Sequence, residues 1–87
     1  MYVIMTYDVG VERLNKILKL GRQYLSWVQN SVLEGEITEA NLLRLMSQVA
    51  KVIDKEADSV TFYILRTTKY LRKKTIGIVK GEPTTIL

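Results

Sequence analysis

Neither cysteine nor histidine occurs among the 87 residues, and this double absence limits what so short a chain can fold into. A domain of this size leaves a large share of its surface in water and needs a second source of stability. Disulfides are excluded, as are the zinc sites built from thiolate and imidazole. Association with another copy or a partner is the device that remains. The same absence removes the common Cys and His nucleophiles and bases, so any catalysis rests on carboxylates, hydroxyls, Lys, Arg or Tyr. A thiol-free chain suits a reducing compartment. No charged segment followed by an apolar one opens the sequence, and its apolar runs are far shorter than a bilayer crossing. A cytoplasmic protein with no membrane contact is therefore expected.

The net charge is only +4, but its placement is uneven. Arg13, Lys16, Lys19 and Arg22 form one cluster without an acid among them. Arg66, Lys69, Arg72, Lys73, Lys74 and Lys80 form another. Clustered cations are what a phosphate backbone attracts, although a solvated lysine face has the same composition.

Tyr2–Tyr7 is β-branched and aromatic and reads as a buried strand ended by Asp8-Val9-Gly10. From Val11 the pattern turns helical: Val11, Leu14, Ile17 and Leu18 share one arc, and Arg13, Lys16 and Lys19 lie on the opposite one. Gly21 reads as the helix stop. Residues 24–36 are extended by composition, with a bend, bulge or hairpin at Gln29-Asn30-Ser31. Thr38 offers an N-cap for a helix whose apolar series is Leu42, Leu45, Met46, Val49, Val52 and Ile53. Residues 59–65 form the clearest strand. Residues 67–73 read as a polar connection, 75–79 as a further strand, and 84–87 as a short edge strand after Pro83. Helices crossing over between strands on one face give a two-layer α+β sandwich of ferredoxin-like β-α-β-β-α-β type. Residues 1–80 make the domain, and 81–87 an added C-terminal strand or tail for dimer or partner contacts. The uncovered sheet face calls for a partner, and a homodimer would supply it.

The first strand closing on Tyr7-Asp8, the basic helix with Arg13 and Lys16, the Val28–Thr38 segment and Asp58–Leu65 occur together in this order. Over Tyr2–Leu65 the chain resembles the CRISPR-associated protein 2 family, with Leu33 where the family usually has Phe or Tyr. A second departure is Ser26-Trp27, where a basic residue is common. The resemblance implies a homodimer in CRISPR antiviral defence, acting at the adaptation (spacer-acquisition) stage. Such a dimer bridges two dimers of the CRISPR integrase and holds spacer duplex DNA. It further implies a metal-dependent endonuclease, a hydrolase acting on RNA or DNA, with Asp8 as catalytic residue and ligand of magnesium or manganese. Single-stranded RNA is then a second nucleic-acid partner.

Read without the family, Asp8 has a plain explanation as a turn or cap residue. A bound magnesium ion would supply an activated water and a counter-charge, and two symmetry-related Asp8 carboxylates would suffice to hold it. Glu12 reads as a helix-dipole residue and Asp58 as a turn residue before its strand. Arg13, Lys16, Lys19 and Arg22 are the candidate phosphate contacts. Tyr2, Tyr7, Trp27, Phe62 and Tyr63 read as core or dimer packing rather than base stacking. A stand-alone, toxin-like metal-dependent endoribonuclease and an unrelated ferredoxin-like interaction domain are the competing readings.

Overall fold

Alternation in the first strand sets the architecture. In β1 (Tyr2–Asp8), Val3, Met5 and Tyr7 are buried while the residues between them are not. A period of two with one apolar face is a strand lying across a helix layer. The computed structural model describes residues 1–67 and 70–78. After β1 come a 3-10 turn (Val11–Arg13), α1 (Leu14–Arg22), β2 (Ser26–Gln29), β3 (Val32–Glu36), α2 (Glu39–Val52), β4 (Ser59–Thr67) and β5 (Tyr70–Gly77). The strands form one antiparallel sheet in the order β2-β3-β1-β4-β5. This is a ferredoxin-like α+β fold with a fifth strand added beside β4.

Val3, Met5, Leu33, Val60, Phe62 and Ile64 of the sheet meet Ile17 of α1 and Leu42, Leu45 and Val49 of α2 in a single core. The Thr38 hydroxyl accepts from the Asn41 backbone N–H at 3.1 Å and starts α2, as its sequence indicates. Gly21 lies inside α1 rather than ending it. A Cβ there would stand 3.1 Å from Leu33 and 3.4 Å from the Met5 sulfur, so the glycine lets helix and sheet approach.

Two further expectations are corrected. Val11 belongs to the 3-10 turn and is 80% exposed, so the apolar face of the helix begins at Leu14. The expected polar connection over 67–73 is largely strand: β4 and β5 pair from Ser59↔Gly77 to Thr67↔Tyr70. Gly77 has φ 105°, and a side chain there would run into the Asp58 backbone. The proposed C-terminal strand or tail, residues 81–87, lies outside the described residues, as do Lys69 and Lys80.

Among the described residues no helix lies on the sheet's second face. Tyr2, Ile4 and Thr6 of β1 share it with Val32 and Glu34 of β3 and Thr61, Tyr63 and Leu65 of β4. These side chains are half-buried in the single chain. The Tyr2 hydroxyl donates to Glu34 at 2.8 Å, which, with partial burial, raises the tyrosine pKa.

Candidate active site and nucleic-acid interface

Asp8 is the last residue of β1 and lies opposite Ser59 in the register with β4. The alternation that buries Tyr7 turns Asp8 toward the uncovered face, where it is exposed. It borders a hollow of about 310 Å³ with Thr6, Tyr7, Ser31, Val32, Ser59 and Thr61. Tyr7 fixes the strand end. Its N–H donates to the Ser31 carbonyl at 3.1 Å and its hydroxyl to the Asn30 carbonyl at 3.4 Å.

A second acid lies nearby in the fold but has a different occupation. Asp58 is 1% exposed. It accepts from the Arg13 Nε and Nη2 groups at 2.5 and 3.0 Å, from the Gly10 N–H at 2.9 Å and from the Asp54 N–H at 2.9 Å. The Arg13 guanidinium, with the two backbone donors, holds this carboxyl well below the usual carboxylate range despite its desolvation. Asp58 is thus more than the turn residue its sequence suggests: it ties the segment after Asp8 to the segment before β4. Nothing local announces this, because its partner Arg13 is 45 positions away.

Arg13 therefore departs from the expected set of phosphate contacts. Its remaining terminal nitrogen reaches Glu12 at 3.2 Å, so all three guanidinium nitrogens have carboxylate partners. Lys16, Lys19 and Arg22 are exposed on α1 and line one shallow hollow with Glu12, Asn15 and Leu18. The Arg22 guanidinium also lies over the Trp27 ring, 5.9 Å from its centroid. In the second basic cluster, Arg66 stands 3.6 Å from Glu39, while Arg72 and Lys74 are exposed.

Among the described residues no three Asp or Glu side chains gather into a metal-binding group. Magnesium takes one or two carboxylates and keeps several waters, so Asp8 with the Ser59 and Thr61 hydroxyls that line the same hollow would supply half of such a donor set. A second Asp8 from another copy would complete it.

Comparison with known proteins gives a consistent result. The family model described as CRISPR associated protein Cas2 matches residues 1–73. The CRISPR-associated endoribonuclease Cas2 of Dictyoglomus turgidum is 54% identical over 87 residues, covering 100% of both chains. Its counterpart from Thermotoga maritima is 50% identical over 94% of each chain. Among solved structures, a crystal structure of Cas2 aligns at TM-score 0.74 and 40% identity, covering 100% of this chain and 98% of the other. Streptococcus pyogenes Cas2 aligns at TM-score 0.69 and 38% identity over 75% and 86% of the respective chains. The chain belongs to the CRISPR-associated Cas2 family.

Proposed function

We propose that this chain acts as a homodimer in spacer acquisition, bridging two dimers of the CRISPR integrase and holding the duplex of an incoming spacer. The observation that carries the reading is the exposed row Lys16, Lys19 and Arg22 on one helix, away from the uncovered sheet face. Dimerising through that face leaves the basic row of each copy open to phosphates. Such contacts position a duplex without reading its sequence. The test is binding of a labelled duplex, with and without the integrase, across a salt series. Replacing both Lys16 and Lys19 with Ala removes four cations from the dimer and should make the slope of log affinity against log salt shallower by about 4. An unchanged slope would remove this face from the interface.

Metal-dependent phosphodiester cleavage is a second activity for the same dimer. It is favoured by the exposed Asp8 at a strand end on the uncovered face, and the relatives compared above carry the name endoribonuclease. Magnesium or manganese, when bound, would supply an activated water and charge neutralisation at the phosphate. The chain's part is to present one Asp8 carboxylate per copy beside the Ser59 and Thr61 hydroxyls, and to hold the strand end through Tyr7. Cleavage of single-stranded RNA and duplex DNA should stop with chelator and fall at least about a hundredfold in Asp8→Ala. Equal cutting by both proteins would refute the assignment. Cleavage independent of the integrase and without duplex bridging would favour the stand-alone ribonuclease instead.

A further inference from the structure

Trp27 is the chain's one tryptophan and is 51% exposed, on the edge strand β2. It is not part of the core. Two contacts hold it in place: its indole N–H donates to the Asn30 carbonyl at 2.8 Å, and the Arg22 guanidinium lies over the ring. Asn30 itself takes a left-handed conformation, φ 28°, in the turn between β2 and β3. The same carbonyl receives the Tyr7 hydroxyl, so the indole and the strand bearing Asp8 share an anchor. Lys19 of α1 and Gln23, the residue that follows the helix, border a shallow hollow with Arg22.

We propose that Trp27 is a stacking platform for an unpaired nucleobase, with Lys19 and Arg22 holding the adjoining phosphates. The proposal rests on the nucleic-acid reading above and adds to it a site for single-stranded segments. A half-exposed indole held in one orientation offers a planar surface on which a second planar group can stack. The neighbouring charge decides which group that is. The cations beside the ring suit a phosphate chain, and every base offers a π-face to an indole. An apolar peptide strand added to β2 would cover the ring but leave Lys19 and Arg22 unmatched. Because the indole is already oriented by Asn30, little side-chain entropy is lost when a base stacks on it.

The lone tryptophan makes the test direct. Binding of a labelled single strand and of a blunt duplex is followed by anisotropy, with indole emission read in the same titration. Single-strand binding should quench the emission. Trp27→Ala should weaken single-strand binding by about tenfold with little effect on the blunt duplex, and Trp27→Phe should keep part of the affinity. Lys19→Ala should weaken both ligands and lower the salt slope. Single-strand binding equally tight in Trp27→Ala, or an emission unchanged at saturation, overturns the platform while leaving the duplex reading in place. Failure of wild type to bind either ligand with or without integrase overturns both. Emission that responds only to added integrase identifies a protein contact and overturns the platform.

Discussion

At the scale of single residues, the buried pair Asp58–Arg13 decides more than its surface area suggests. Two elements of the chain meet at this carboxylate, and four donors converge on it. Removing the charge leaves Arg13 facing a neutral amide, and the amide NH2 is a donor turned toward groups that also donate, so Asp58→Asn should cost about 3 kcal/mol of stability near neutral pH. In a domain of this size that is a fall of roughly 15 °C in Tm. The pH dependence follows from the direction of the shift. The folded carboxyl titrates below its unfolded value of 3.8, so the unfolded chain binds the proton first as pH falls. The stabilisation is complete well above that value and disappears as pH drops below it. Thermal melts from pH 7 to the acid limit should show wild type losing stability steeply below about pH 4. Asp58→Asn should lose that component of the slope. Parallel acid curves for the two proteins would show that the pair does not stabilise the fold.

At the scale of elements, what the sequence made legible was whatever repeats with a period. The alternation in β1, the i, i+3, i+4 series of α2 and its Thr38 cap appear in the structure where the pattern places them. The bend at residues 29–31 resolves as a hairpin between β2 and β3. The misread features are those whose cause lies elsewhere in the fold. Gly21 has the composition of a helix stop, but its role is set by Leu33 and Met5 arriving from the sheet. The segment around residue 70 has too many cations to read as a strand. Its pairing is dictated by β4, whose length exceeds that of its partner β1. The candidate site divides in the same way. Asp8 is legible because it ends a strand, and Lys16, Lys19 and Arg22 because they share a helix surface. Arg13 matches that surface by spacing, and only the folded chain shows its guanidinium bound to Asp58. Trp27 reads as packing, and only its edge-strand position reveals the exposed ring.

At the scale of the whole molecule, the uncovered sheet face determines whether the proposed function can operate. Ile4 lies near its centre on β1, between Glu34 of β3 and Tyr63 of β4. Stable interfaces between proteins bury roughly 1,200–2,000 Å² in total, and this face, where Ile4, Val32, Tyr63 and Leu65 lie among Thr6, Glu34 and Thr61, has no helix over it among the described residues. A charge placed at its centre would be desolvated without a partner in the dimer but hydrated in the single chain. Ile4→Asp should therefore weaken dimerisation at least about tenfold, corresponding to some 1.4 kcal/mol, and the released monomer should melt at a lower temperature than the dimer. Sedimentation across a dilution series measures this directly. The control is Leu43→Asp on α2, where Leu43 is 60% exposed on the opposite layer. If Leu43→Asp dissociates the protein and Ile4→Asp does not, the copies meet through the helices and the pairing of two Asp8 carboxylates fails with the interface. If Ile4→Asp yields monomers, duplex affinity should fall as well, although no phosphate contact has been touched. The two basic rows then bind as separate modules and lose the advantage of being linked. On the proposed reading of a metal shared between two copies, cleavage should disappear in the same variant with Asp8 intact, because one chain would supply only half of the donor set.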